Sequence, residues 1–395
     1  MKPLPVLTVA SLYPNAAMPG FAPFVEHRVR RLVEAGAAET RVLAPVPWAP
    51  ALPGLPEAWR RWARVPRAEV RHGIPVFHPR YPHLPRIGMT LQPGAMAAVL
   101  RREAARLWRE GFRFALVDAH YAYPDGVAAL DLARRFAVPL VVTARGTDLN
   151  LIPRHPPARR RLERLARKAD ALVAVSRALA GVWRELGAPD ERVHVVPNGV
   201  DLDLFRPLER EAARRVLGLG PGPLLLSLGE LSERKGMDVA VRTLARLPGW
   251  RLVLVGEGPL RSRLADLARE LGVAERLAFP GSRPQAELPL WYAACDVFLL
   301  ASRREGLPNV LLEALACGRP VVAARVWGVP EAVREPVAGR LVDGHDPAAF
   351  AAAVREVAAA PPDPDAVRAT VAERSWEVTV RRLAELFREL AGGRP

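Results

Sequence analysis

Short apolar runs alternate with amphipathic segments along this 395-residue chain, and that rhythm limits its fold more than any other feature. In the first half Val6–Ala10, Arg41–Ala44, FALVDAH ending at His120, VPLVVTA, Ala171–Val175 and Val193–Val196 read as strands. Between them FVEHRVRRLVEAG carries apolar residues at helical spacing, with Pro23 suited to a first turn and Gly36 to a stop. AMAAVLRREAARLWREG, PDGVAALDLARRF, the basic Pro157–Lys168 segment and RALAGVWRELG after a Ser176 cap also read as helices. The second half repeats the rhythm, from PLLLSLG and MDVAVRTLARL through WRLVLVG, LRSRLADLARELG and ERLAFPG. Strands alternating with helices in two similar halves predict an α/β protein of two doubly wound, Rossmann-like domains. The boundaries fall at residues 1–200 and 201–374, with a turn-rich hinge at PNGVD and a closing amphipathic helix at 375–395. Ligands of such sheets bind at the carboxyl ends of the strands, so the chemistry is expected in a cleft between the two domains.

Length and composition fit this reading. A chain of this size exceeds one comfortable core, and half of it is hydrophobic. No apolar run approaches the roughly 18 residues that span a bilayer, and the N-terminus reads as a first strand. Cys295 and Cys317 are the only cysteines and lack metal-ligand spacing, which suits free thiols in a reduced cytoplasmic setting. Charge is uneven. Residues 1–200 hold 30 basic and 16 acidic side chains, whereas residues 201–395 hold 27 and 26. A basic lobe of this kind suits an anionic partner such as a membrane surface, a phosphorylated acceptor or nucleic acid.

Residues 45–94 break the rhythm with eleven prolines. Trp59, Arg60, Arg61, Trp62 and Arg64 mix aromatic and cationic side chains there. Two readings stand: a peripheral contact with lipid headgroups, or an irregular Arg-rich insertion whose tryptophans pack on their own domain.

One stretch carries the chemistry most densely. SRREGLPNVLLEALACGRP, Ser302 to Pro320, sits between the apolar runs DVFLL and PVVAA. It reads as a strand, a Gly/Pro turn, a short helix and a second strand, with Glu305 in the turn and Glu313 within the helix. A turn that opens a helix presents unpaired N–H groups and the positive end of the dipole, a setting suited to phosphate.

NGVDLDLF, LGELSERKG, LVGEGP and EGLPNVLLEALACGRPVV follow one another in an order that resembles the GT-B glycosyltransferases of the large retaining family four. HYAYPDG and TARGTDLN sharpen the likeness to its envelope-polysaccharide, teichuronic-acid-type branch. The resemblance spans nearly the whole chain, with residues 45–94 its weakest part. It implies that the closing helix returns to the first domain, which would bind acceptor while the second binds donor.

The resemblance also assigns roles. Glu313 would accept from the ribose hydroxyls, Glu305 from the donor sugar, and the N–H groups of Asn309 and Val310 would hold the diphosphate. Lys235, with Arg234 beside it, would stabilise charge on the leaving group. Gly229, Gly256 and Gly258 would line the donor side. His120 would stand near the reacting sugar, and Gly20, Arg145, Thr147 and Asp148 on the acceptor side, where Arg145 suggests an anionic group. Two departures are visible: Glu230 follows Gly229 where many relatives carry Arg, and Phe21 interrupts the usual paired glycines after Gly20.

Asp201-Leu202-Asp203 and Asp363-Pro364-Asp365 read as turn chemistry rather than metal ligands, so neither metal nor cofactor is expected. The function implied is retaining, metal-independent transfer of a sugar from a nucleotide-diphosphate sugar, UDP-linked, to a lipid-linked or saccharide acceptor. The site would lie in the cytoplasm, peripheral to the inner face of the plasma membrane. A nucleotide-sugar epimerase on the same fold is the alternative. A polyanion- or nucleic-acid-binding protein is disfavoured because the charge is spread along helices without stacking platforms.

Overall fold

A computed structural model describes residues 2–48, 57–83 and 88–392. The chain divides into two compact units, Met1–Pro197 with Trp376–Pro395, and Asn198–Ser375. Parts of the Pro-rich stretch, 49–56 and 84–87, and residues 393–395, which the sequence reading assigns to the closing helix, lie outside the described residues.

The first unit holds β1 (Leu4–Val9), β2 (Ala38–Leu43), β3 (Val46–Pro47), β4 (Ala68–Arg71), β5 (Ile74–Phe77), β6 (Arg80–Tyr81), β7 (Leu116–His120), β8 (Leu140–Ala144), β9 (Ala171–Ala174) and β10 (Val193–Val195). Eight of these form one sheet in the order β10-β9-β8-β7-β1-β2-β5-β4, all parallel except the β4–β5 pair. The order reverses between β1 and β7, whose register sets Thr8 beside Asp118. Such a reversal opens a crevice beyond the strand ends. Expected caps are in place: Pro23 opens the Pro23–Glu34 helix, and Ser176 Oγ accepts from Leu179 N at 3.3 Å.

The described parts of the Pro-rich stretch hold regular elements as well as tryptophans packed on their own unit. β5 extends the parallel sheet beside β2, and Ile74 and Val76 join a core with Tyr13, Val25 and Val29. The tryptophans of the Glu57–Arg64 helix face their own unit: Trp62 meets Phe21 edge-on at 5.6 Å, and Trp59 lies 6.3 Å from His83. The helix expected from residue 95 already begins within Gly88–Arg109 and runs through Pro93.

The closing Trp376–Gly392 helix packs Val380, Leu383, Leu386 and Phe387 against Val6, Leu32, Leu116 and Val141 of the first unit. Thr379 Oγ1 donates to Pro197 O at 3.1 Å.

The second unit holds β11 (Leu224–Leu228), β12 (Arg251–Val255), β13 (Leu277–Gly281), β14 (Val297–Leu300), β15 (Val321–Ala324) and β16 (Gly339–Val342). They form a parallel sheet in the order β13-β12-β11-β14-β15-β16, reversing between β11 and β14. Its core of Leu, Val and Ala side chains from strands and flanking helices includes Leu225, Leu254, Leu299, Val322 and Phe350. Cys295 and Cys317 are buried free thiols, and burial pushes the Cys295 thiol up to about 12.

Candidate active site

At the switch point of the second sheet, three loops converge beyond the strand ends. The turn after β11 carries Lys235, and the loop after β14 carries Glu305. Their side chains meet, with Lys235 Nζ donating to Glu305 Oε1 at 2.7 Å. Two features bring these loops together. Arg303 N donates to Arg234 O at 2.8 Å. Gly236, at φ 63°, lies against β14 so closely that a Cβ would stand 2.0 Å from Ala301 O.

The glycines of this region pack backbone on backbone. A Cβ on Gly256 would sit 1.9 Å from Gly229 O, and one on Gly258 2.5 Å from Leu231 O. Gly229 itself lies beneath the aliphatic stem of Lys235. These residues therefore support the floor under Lys235.

The Asn309–Ala316 helix starts next to Glu305 in the chain, after Pro308, and among the described residues no side chain caps its first turn. The N–H groups of Asn309 and Val310 thus stand at an uncapped positive terminus. One turn on, Glu313 is buried and accepts from Tyr292 Oη at 2.8 Å. Burial pushes its carboxyl up to about 7, although hydrogen bonds from Tyr292 and Gln285 work against that rise. Tyr292 is a participant the sequence did not announce, because its partner lies 21 residues away.

Arg234 is less available than the sequence suggests. It is a half-exposed side chain 3.6 Å from Glu230, which draws its charge towards a carboxylate. Lys235 is the more buried of the two cations of this turn and is paired with Glu305 at 2.7 Å. Asp201 closes a turn by accepting from Asp203 N and Leu204 N, whereas Asp363, also expected in a turn, caps the Pro364–Ala369 helix by accepting from Asp365 N and Ala366 N. No group of three or more His, Cys, Asp or Glu side chains is arranged to hold a metal among the described residues.

The switch point of the first sheet is built differently. His120 is fully buried, with Nε2 2.9 Å from Asp118 Oδ2 and Nδ1 2.7 Å from Arg145 Nη2. Arg145 has only donors, so Nδ1 must accept and Nε2 must carry the proton donated to Asp118. Burial drives the His120 pKa down to about 4, which agrees with a neutral ring. Asp118 is opposed by burial, but His120 and Arg28 hold its carboxyl below the usual range. Arg28, equally buried, lies 3.7 Å from Asp118 and donates to Thr143 Oγ1 at 3.0 Å.

His120 and Arg145, expected to face substrate, are therefore bound to each other. Arg145 also lies over the Phe24 ring at 5.2 Å, and burial lowers its pKa to about 9, leaving it cationic at neutral pH. Asp148 does not line an open surface either. Its buried carboxylate accepts from Ala122 N, Arg145 N and Gly146 N, fixing the loops after β7 and β8. Thr147 opens the short Thr147–Asn150 helix of the same loop. Asp125 braces the loop after β1 by accepting from Ser11 N and Ser11 Oγ. Gly20 lies apart, exposed in the loop before the first helix. The sequence did hold a signal for the Asp118 contact, since residues two apart on a strand share a face.

Two Rossmann-like units with parallel sheets are the architecture of GT-B glycosyltransferases. Sucrose-phosphate synthase from Thermosynechococcus elongatus shares this fold, with a TM-score of 0.79 at 21% identity over 99% of this chain and 100% of that one. Anabaena HepE, solved with UDP and glucose, matches at a TM-score of 0.75 and 21% identity over 98% and 99%. Residues 20–204 match the description Glycosyltransferase Family 4, and residues 209–374 match Glycosyl transferases group 1. The D-inositol 3-phosphate glycosyltransferase of Thermobispora bispora is 38% identical over 369 residues, covering 84% of both chains. The enzyme of that name from Catenulispora acidiphila is 35% identical over 90% of this chain and 89% of its own. This chain belongs to the family-four type of GT-B glycosyltransferases. These relatives are inositol-phosphate enzymes by name, so the narrower teichuronic-acid branch does not follow from them.

Proposed function

We propose that the chain transfers a sugar from a nucleotide-diphosphate sugar to a saccharide or lipid-linked acceptor, with retention of anomeric configuration and without a metal. The observation that carries this reading is the Lys235–Glu305 contact beside the uncapped start of the Asn309–Ala316 helix. Lys235 and the helix N–H groups would neutralise the diphosphate as it leaves, and Glu305 would take hydroxyls of the sugar. Glu313, oriented by Tyr292, would accept from the ribose diol. In the step itself the bond from the anomeric carbon to the phosphate oxygen breaks. A new bond forms to the acceptor oxygen on the same face, and the acceptor proton passes to the leaving phosphate.

UDP-linked donors are the leading choice. A second reading follows from the relatives, which include D-inositol 3-phosphate glycosyltransferases and, over 59% of this chain, a GDP-mannose-dependent mannosyltransferase of Mycolicibacterium smegmatis. It pairs a phosphorylated polyol acceptor with the basic first unit. That unit also presents exposed Trp48, Met89 and Leu91, which support peripheral contact with an anionic membrane. No helix among the described residues is long and apolar enough to cross a membrane.

The test is nucleotide release over UDP- and GDP-sugars, with D-inositol 3-phosphate and membrane extract as separate acceptors. Release that depends on acceptor, an anomer matching the donor, and loss in Lys235→Ala and Glu305→Ala are expected. Parent-like variants would sink the site, and an epimerised sugar formed without acceptor would sink the transfer reading. Co-sedimentation with phosphatidylserine vesicles tests the membrane contact, and equal pelleting with neutral vesicles counts against it.

A further inference from the structure

Asn198 is the first residue of the second unit, and its side chain is buried although it lies in a turn. Its Nδ2 donates to Asn309 Oδ1 at 2.9 Å. Asn309 is the first residue of the helix whose uncapped terminus faces the proposed donor. The two asparagines stand 111 residues apart in sequence.

An amide side chain has one accepting end and one donating end. With Oδ1 of Asn309 occupied by Asn198, the end left to other partners is its NH2, which can only donate. The turn that carries Asn198 is itself anchored. Val200 N donates to Arg374 O at 2.8 Å, and Val200 bridges to Ser375. Pro197 before it and Gly199 after it leave this one side chain to make the contact.

We propose that Asn198 is a positioning residue for the donor diphosphate. By donating to Asn309 Oδ1 it fixes the orientation of that amide, so that the Asn309 NH2 joins the first-turn N–H groups of the helix in meeting an anion. The inference rests on the donor reading above and adds a residue to it. An aspartate at 198 could only accept. It would turn the Asn309 amide over, take its NH2 and leave its oxygen against the phosphate.

The experiment measures binding of UDP, GDP and the corresponding nucleosides to the full chain, its Asn198→Asp and Asn198→Ala variants, and both Asn309→Ala and the Asn198→Ala/Asn309→Ala double variant. Asn198→Asp should weaken the nucleoside diphosphate by roughly tenfold or more, the weight of one charge-assisted hydrogen bond. Asn198→Ala should weaken it less, and nucleoside affinity should stay within about twofold, since a nucleoside lacks the phosphates. In the double variant the loss should match Asn309→Ala alone, because Asn198 acts through Asn309. The alanine variants keep the test open if Asn198→Asp folds poorly. Unchanged diphosphate binding, equal losses for nucleoside and diphosphate, or additive losses in the double variant would each overturn the role. A parent chain that binds neither UDP nor GDP would instead bring down the donor reading and this inference with it.

Discussion

At the switch point of the first sheet, Arg28, Asp118, His120 and Arg145 are buried, and both ring nitrogens of His120 are taken by protein partners. At the switch point of the second, Lys235 and Glu305 meet beside a helix start that no side chain among the described residues caps. The fold supplies the same crevice twice. The first unit uses its charges to hold loops in place, while the second pairs a single lysine and glutamate beside a helix start, the pair proposed above to meet the donor. A polar residue at a strand end is thus a statement about position, and its bonding decides whether it acts on substrate or on its neighbours.

The sharpest way to break this contrast is Asp118→Ala. It would strand Arg28 in the interior without its counter-charge and should cost about 3–5 kcal/mol in denaturant unfolding of the first unit. Nucleotide affinity should remain, and a parent-like unfolding midpoint would show the cluster to be ornamental. Lys235→Ala should do the reverse. Turnover should fall by about 10²–10³, as for other removed donors to transition-state charge, with the melting temperature shifting by only about 2 °C. A collapse in stability without selective loss of turnover would return Lys235 to a structural role.

Glu313 sharpens the comparison through pH. Burial raises its carboxyl to about 7 in the folded chain, and if it accepts from a ribose diol as proposed, binding below that pH expels a proton. Nucleotide affinity should therefore weaken by up to about tenfold per pH unit on acidification below 7, and Glu313→Gln should flatten the profile. Taken as stability, the raised pKa means that the folded chain loses ground as pH climbs from the ordinary carboxylate range to about 7. His120 acts in the opposite sense: its lowered pKa removes stability as pH falls from about 6.5 towards 4. Smallest of all, Ser176→Ala should cost about 1 kcal/mol through one lost cap, without touching nucleotide binding.

Periodicity made most of the helices and strands legible, and the Ser302–Pro320 unit could be placed from its residues alone. β5 was hidden because its four residues include Pro75, and its place beside β2 depends on pairing with a distant strand. Lys235 and Glu305 could be chosen but not joined, since 70 residues separate them and only the fold brings the loops together. Tyr292 and Asn198, to which the sequence reading gave no role, each hydrogen-bond a residue to which it did, Glu313 and Asn309. His120 and Arg145 were expected to face substrate, and the bond that joins them within the buried cluster is one that no local pattern encodes.

The Trp376–Gly392 helix contributes Val380, Leu383 and Phe387 to the same core as Val6 from the first strand. On a ribosome, that core must wait for its last wall until the entire second unit has been made, roughly ten to forty seconds at ordinary elongation rates. During that interval the apolar faces of Leu32 and Leu116 lack their final cover, and the early part of the chain is the part most in need of a chaperone.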